Sequence, residues 1–390
     1  MNMENVILGI IGFGNMGSDH AYRIMKGDIP RMELGAICDI DDDKLKKAKE
    51  KYGDKVAYFK DYKEMLKSGK INAVLVATPH YFHPQMVIDS FAADMNVICE
   101  KPAGVYTKQV AEMNKAADKY GKVFSMMYNQ RTNPLYAKAR DLIQSGELGD
   151  LKRMIWIITN WFRTQAYYDS GTWRSTWSGE GGGTLINQNP HQLDLWQWIC
   201  GMPKTIRSTC YYGKWHDIEV EDDVTVFAEY ENGMTATYIT STGEAPGTNR
   251  LEITGTKGKI VIEDDKMKFY RNRVDDVTFC RTHPTSFGTP EVWEVNVPTS
   301  KPQYYQHNGI LKNFTDAVLD GAELIAPGKE GILGLTISNA IHLSSWTGES
   351  VTLPIDEDKF YDMLQEKIKN SKVVKKEAKT GGDVDMSSSF

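Results

Sequence analysis

The sequence predicts an α/β chain in two parts. An N-terminal doubly wound parallel sheet is followed by an α/β region built on a large, open, mostly antiparallel sheet. Three observations carry this. Through the first third, short apolar runs alternate with helix-like segments, the pattern of βαβ units. After about residue 150, most runs alternate apolar and polar residues, as in antiparallel strands with one covered face. The length of 390 residues exceeds what one core usually holds. The expected division is 1–128 for the first domain, 129–370 for the second and 371–390 for a tail.

The elements follow in order. The apolar run 6–11 is bounded by glycine and reads as a buried strand, with Gly12-Phe13-Gly14-Asn15-Met16-Gly17 and a helical stretch after it. Strands are expected at 34–38, 73–77, 96–99 and 123–127, with helices at 42–52, 61–67, 83–93 and 108–120 between them. Beyond 151–162, strands are expected at 205–215, 223–230, 234–241, 250–254, 259–262, 268–270 and 293–297. Glu231-Asn232-Gly233 and Gly255-Thr256-Lys257-Gly258 are turn signals between them. Helices at 304–319, 329–345 and 356–370 close the pattern. Residues 371–390 are charged and then Gly/Ser-rich without apolar periodicity, which reads as a disordered tail.

Composition excludes several classes. A net charge of −6 and a pI near 5.8 argue against nucleic acid and against anionic membranes as main partners. No apolar run approaches the roughly 18–20 residues of a membrane helix. The opening residues pass straight into a strand without a basic, then apolar, leader, so a cytoplasmic location is expected. Cys38, Cys99, Cys200, Cys210 and Cys280 are scattered and form no CxxC pair, which predicts reduced thiols and no metal site.

The glycine motif stands after a strand and opens a helix, and Asp39 ends the next strand. That context makes GxGxxG a dinucleotide fingerprint. Gly12 serves the tight turn, Gly14 the approach of a pyrophosphate and Gly17 close helix–strand packing. The helix N-terminus offers amide donors to phosphate. Asp39 is expected to accept from the adenosine ribose hydroxyls, and Ile40 supplies no cation for a 2′-phosphate. NAD is therefore the expected cofactor, with Phe13, Asn15 and Met16 beside it.

Two further segments carry chemistry. Glu100-Lys101-Pro102 follows the strand at 96–99, so Lys101 stands at a strand's carboxyl end beside the nucleotide cleft. Gly181-Gly182-Gly183 leads through Asn187 to Pro190-His191, where a helix is expected to start. Removing a hydride from an alcohol requires a base for the hydroxyl proton, and histidine titrates in the right range.

Together the glycine fingerprint, Ala77-Thr78-Pro79 with His83, Glu100-Lys101-Pro102 and the glycine-run segment ending at His191 resemble the Gfo/Idh/MocA oxidoreductases. The resemblance covers nearly the whole chain. It implies a Rossmann domain followed by an α/β domain whose open sheet covers the active site and often forms the subunit interface. A homo-oligomer, dimer or tetramer, is expected. It also implies that Lys101 bonds the substrate hydroxyl and the nicotinamide ribose while His191 is the general base. The family usually has aspartate four positions before that histidine, where this chain has Asn187. An amide cannot stabilise a histidinium as a carboxylate does. Asn187 therefore orients substrate beside an unaided His191, or Lys101 takes more of the proton work. Asp194 is the nearest other carboxylate, or is structural.

By the same resemblance Thr78, Pro79, His80, His83 and Glu100 line the cofactor cleft, Gln130 and Arg131 stand at the interdomain crossover, and Trp173-Arg174 touch nicotinamide or substrate. Tyr128, Arg163 and Trp177 join Lys101, Asn187 and His191 as expected substrate contacts. Residues 163–177 are dense in aromatic and hydrogen-bonding groups, which suits a pyranose ring. No compact Lys/Arg cluster in the sequence marks a phosphate pocket. The expectation is an unphosphorylated sugar or glycoside oxidised at a ring secondary hydroxyl, C3 by likeness to levoglucosan and glycoside 3-dehydrogenases. The alternatives are a cyclitol dehydrogenase, a glycosidase that retains NAD, and a non-catalytic dinucleotide sensor.

Overall fold

The structure is a computed structural model that describes residues 4–171 and 173–371. The expected tail lies outside these, except Ser371. Two sheets organise the chain. The first is six-stranded and parallel, in the order β3-β2-β1-β4-β5-β6. Its strands are β1 (Val6–Ile11), β2 (Met32–Cys38), β3 (Ala57–Phe59), β4 (Ala73–Val76), β5 (Asn96–Cys99) and β6 (Phe124–Met126). All four residues of β4 and of β5 are buried, because helices cover both faces of a parallel sheet. The edge strand β3 is absent from the sequence expectation. Its three residues are each only half-buried and carry no alternating pattern.

The second sheet has nine strands. These are β7 (Leu151–Ile158), β8 (Thr205–Tyr212), β9 (Glu221–Glu229), β10 (Thr235–Ser241), β11 (Asn249–Gly255), β12 (Gly258–Glu263), β13 (Lys266–Asn272), β14 (Val292–Val295) and β15 (Val351–Thr352). Their order is β14-β13-β12-β11-β7-β10-β9-β8-β15. All pairs are antiparallel except β7 with β10. Met154, Trp156 and Ile158 of β7 and Val224, Val226 and Ala228 of β9 are buried beneath helices, while Phe227 on the opposite face is 46% exposed. Period-2 alternation therefore leaves one broad sheet face open.

The two regions are tied together by more than the crossover. Met126 N donates to Ala326 O at 3.0 Å, and the helix Gln306–Asp320 packs on the turn Asn129–Thr132. In that turn Arg131 forms a two-pronged bond to Asp194 (Nε–Oδ2 2.8 Å, Nη2–Oδ1 2.6 Å) and reaches Glu330 at 2.5 Å. Asp194 lies in the helix Pro190–Cys200, so this buried pair sets the angle between that helix and the parallel sheet. Asp194 is structural. Gln197 also donates to it at 3.0 Å, so both of its oxygens are engaged in holding the helix.

Asp194→Asn should cost about 3 kcal/mol of stability, because it leaves the Arg131 charge buried with only Glu330. Urea unfolding measures this. A loss below about 0.5 kcal/mol would mean that the pair is no latch.

Candidate active site

The nucleotide end is built by backbone geometry. Gly12 has φ +93°, and a Cβ there would meet Ala77 O at 2.6 Å. A Cβ at Gly17 would lie 2.0 Å from Gly12 O. Gly14 differs, since a Cβ there would meet nothing within 4 Å. Gly14 is also the N-cap of the helix Asn15–Met25 and offers no side-chain cap. An open space at the amide end of a helix fits a pyrophosphate.

Asp39 is 7% exposed and accepts from Phe13 N at 2.7 Å and from Asp41 N at 3.0 Å. It thus braces the glycine turn and keeps lone pairs for a ribose. Ile40 is 85% exposed beside it. The sequence reading finds no cation here, but the helix Asp42–Tyr52 brings Lys44 Nζ to 3.4 Å from Asp39 Oδ2.

At the carboxyl end of β5, Lys101 Nζ donates to the backbone carbonyl of Asn187 at 2.8 Å. This bond joins the two expected catalytic segments. From Glu180 to Gln197 every residue is buried except Asn187, which keeps some exposure, as does Lys101. The cleft therefore opens at these two residues. His191 is buried as the second residue of its helix, and its Nδ1 has no hydrogen bond among the described residues.

The glycine run is shaped by its neighbours. Gly181 has φ +85° and abuts Val105, and a Cβ at Gly183 would lie 2.0 Å from Glu221 O. The buried Glu221 carboxylate accepts from Gly183 N and Leu185 N, each at 2.9 Å. Asn189 plugs the turn before Pro190, with Nδ2 donating to Thr184 and Oδ1 accepting from Tyr238 and Thr240.

One carboxylate was missed by the sequence reading. Glu180 is buried, accepts from Asn187 Nδ2 and takes the amide of Ser175 at 2.5 Å. Its signal was an ionisable residue inside Gly179-Glu180-Gly181, one position before the run that was read. Tyr167 was also missed. Its hydroxyl accepts from Arg174 at 3.0 Å and Gln188 at 3.1 Å, and Arg163 and Arg174 lie over its ring at 5.2 and 4.8 Å. Two guanidiniums eleven positions apart thus share one phenol. Neither has a carboxylate within ion-pair distance among the described residues. A compact cationic cluster therefore exists, though the sequence expectation had none.

Several expected contacts stand behind the cleft rather than on its surface. Both ring nitrogens of His83 face main-chain oxygens, Pro102 at 2.7 Å and Thr78 at 2.6 Å, so His83 clamps the wall from within. Glu100 turns inward to His20 Nε2 at 2.6 Å and accepts from Lys101 N at 3.2 Å. The Tyr128 hydroxyl reaches Gly331 O at 3.4 Å and its ring backs His191 at 6.4 Å. Trp177 is 4% exposed in an aromatic cluster with Tyr212, His342 and Trp346. The turn that separates it from Trp173 passes through Ser175, φ +55°. Trp173 meets His80 edge-on at 5.4 Å, and His80 Nδ1 lies 3.3 Å from Glu180 O. Thr78 packs against Gly12, while Pro79 precedes the short turn His80–Phe82. Gln130 bonds Gln306 at 3.3 Å.

Electrostatics prepare the site for proton transfer. Burial, then the Lys101 ammonium, hold His191 well below its usual range, so the imidazole is neutral at pH 7. Burial also lowers Lys101. Glu100 and Glu180 oppose that shift, while Arg174 and Arg163 add to it. Burial raises Glu180. A neutral base and a hydrogen-bond-donating ammonium therefore stand at one opening. No cluster of metal ligands occurs among the described residues.

Two family models match the chain. One, described as an oxidoreductase family with an NAD-binding Rossmann fold, covers residues 6–128, and the other, the Gfo/Idh/MocA C-terminal domain, covers 136–261. The chain belongs to the Gfo/Idh/MocA family. It is an NAD-dependent oxidoreductase acting on CH–OH donors. A myo-inositol 2-dehydrogenase of Thermotoga maritima is 26% identical, over 89% of this chain and 98% of the relative. The WlbA dehydrogenase of Bordetella pertussis, solved with NADH and UDP-GlcNAcA, superposes with a TM-score of 0.75 at 24% identity, over 90% of this chain and 100% of that one. A levoglucosan dehydrogenase in complex with NADH superposes with a TM-score of 0.74 at 19% identity, over 90% and 100%.

The cradle at Gly14 is testable by binding alone. Gly14→Ala should leave the melting temperature within about 2 °C of the parent. NADH affinity, read by fluorescence titration, should fall on the order of ten-fold or more. Unchanged affinity would place the pyrophosphate elsewhere.

Proposed function

We propose that this protein oxidises a ring secondary hydroxyl of an unphosphorylated sugar or glycoside, at C3, giving a 3-keto sugar. The observation that carries this is the bond from Lys101 to the Asn187 carbonyl, which brings ammonium and amide together at one opening, four residues before the buried His191 imidazole. Residues 1–128 hold the dinucleotide and 129–370 the substrate. NAD, when bound, supplies the hydride acceptor. His191 takes the hydroxyl proton, and the Lys101 ammonium stabilises the developing alkoxide on the same oxygen. Asn187, part-buried beside them, orients a neighbouring hydroxyl. Gly12, Gly14 and the amides of Asn15 and Met16 cradle the phosphates. Asp39 takes the ribose, with Ile40 and Thr78 as apolar walls, and Trp173 with His80 closes the nicotinamide side. The names of two relatives, a myo-inositol 2-dehydrogenase and a levoglucosan dehydrogenase, support the substrate class. A cytoplasmic homo-oligomer joined through the open sheet face completes this reading. No helix among the described residues is long and apolar enough to cross a membrane.

A second reading follows from Arg163 and Arg174. Two guanidiniums without carboxylate partners suit a substrate that carries its own carboxylate, a uronic acid or uronide.

The decisive assay is NADH appearance over free sugars, glycosides, inositols and uronates. Turnover of neutral glycosides with a C3 ketone by product NMR is expected. Preference for uronates, lost on Arg174→Ala, would select the second reading. Bound NAD without turnover of any polyol would remove both. Lys101→Ala and His191→Ala should each lower kcat about 10²–10⁴-fold.

The acid limb of the kcat/KM profile should lie below the ordinary histidine value of 6.5, because a depressed pKa keeps His191 unprotonated to lower pH. A limb well above pH 7 would instead assign the base to Lys101.

A further inference from the structure

Asn187 presents an amide to the cleft, and an amide has two unlike ends. Its Nδ2 is committed to the buried Glu180 carboxylate. Its backbone carbonyl is committed to Lys101. What remains for a ligand is the acceptor oxygen Oδ1 with the second N–H of Nδ2, on the one residue of the 180–197 stretch that keeps some exposure. With Glu180 absent, the bond that holds the amide in this orientation is lost, and the amide is free to turn over and present donors instead.

Glu180 is held for this work. Its other oxygen takes the amide of Ser175, a non-glycine residue with φ +55°. Backbone in that region costs energy for a residue with a side chain and persists only where the surroundings demand it. The same carboxylate lies close enough to Lys101 to favour its charged form. We infer that Glu180 is a positioning residue: it locks the Asn187 amide with its acceptor toward the substrate and sets a carboxylate behind the residue whose carbonyl holds the Lys101 ammonium. Carboxylate charge and substrate acceptor are thus divided between Glu180 and Asn187.

The groups that bear on Lys101 are known. Glu100 and Glu180 favour its charged form, whereas Arg163 and Arg174 oppose it. The buried histidines His80, His83, His191 and His307 each feel the Lys101 charge in turn. Glu100 is spent on His20 at 2.6 Å. Loss of Glu180 would leave Glu100 as the carboxylate that offsets Arg163 and Arg174 at Lys101.

This inference rests on the dehydrogenase reading for its consequence but not for its test. Competitive acetylation of the whole protein, followed by mass spectrometry of the Lys101 peptide, reads the lysine's titration without substrate or cofactor. Glu180→Gln should move the Lys101 midpoint down by about one pH unit, since a favouring charge is lost. Glu180→Asp keeps the charge with a shorter reach. It should leave the midpoint within about 0.3 unit while weakening the bond to Asn187.

With a turned-over substrate, Glu180→Gln should lower kcat about ten-fold and shift the high-pH limb downward. Glu180→Asp should mainly raise KM. A Glu180→Gln midpoint equal to that of the parent overturns the charge role. Equal KM for the parent and Glu180→Asp overturns the orienting role. If Glu180→Gln does not fold, Glu180→Ala in the same labelling experiment carries the charge test. Absence of turnover in the parent would defeat the dehydrogenase reading and leave the labelling result standing.

Discussion

One hydrogen bond organises the cleft: the Lys101 ammonium, emerging from the parallel sheet, donates to a carbonyl of the second region. A buried ammonium without acceptors is strongly penalised. Protein surrounds Lys101 closely even though a part of it reaches the opening, so the Asn187 carbonyl and the nearby carboxylates are needed to hold it there. Once that bond is in place, the glycine run, the turn at Asn187 and the start of the His191 helix cannot move independently of the nucleotide cradle. Arg131 and Asp194 make the same connection one turn deeper, and their pairing offsets the cost of burying both charges.

The segment from Glu180 to His191 carries almost no regular structure, yet it is nearly all buried. Buried backbone must find partners. Here they come from side chains of the second sheet: Glu221 on β9 serves the amides of Gly183 and Leu185, and Asn189 reaches Tyr238 and Thr240 on β10. The sheet is thus the scaffold of the active site as well as a platform with an open outer face. Its role in catalysis is indirect. It fixes where the imidazole stands.

The chemistry of the motifs was legible early, and the supporting shell was not. Gly12, Gly14, Gly17 and Asp39 could be read because a dinucleotide turn imposes backbone demands that few residues meet. Lys101 and His191 could be read because a strand end and a helix start fix their neighbourhoods. Trp177 and Tyr128 were misplaced for the opposite reason. An aromatic packs equally well into a core or a cleft, and only the turn at Ser175 and the Tyr128–His191 contact decide which. Lys44 and the Arg163–Tyr167–Arg174 stack were invisible because each joins residues from different turns or elements. The strand β3 was missed because a three-residue edge strand has too little pattern to detect.

By itself the sequence determined the two-part architecture, the parallel sheet implied by βαβ units and the dinucleotide turn, and it singled out Lys101 and His191 as candidates for the chemistry. These follow from local rules of periodicity, backbone sterics and spacing. The tertiary structure alone decided which carboxylate serves the site. Asp194, nearest to His191 in the sequence, is consumed by Arg131, while Glu180, eleven positions away, meets Asn187. That choice depends on a chain reversal at Ser175 and Gly181, and on the desolvation that makes every unpaired charge in so closed a place find a partner.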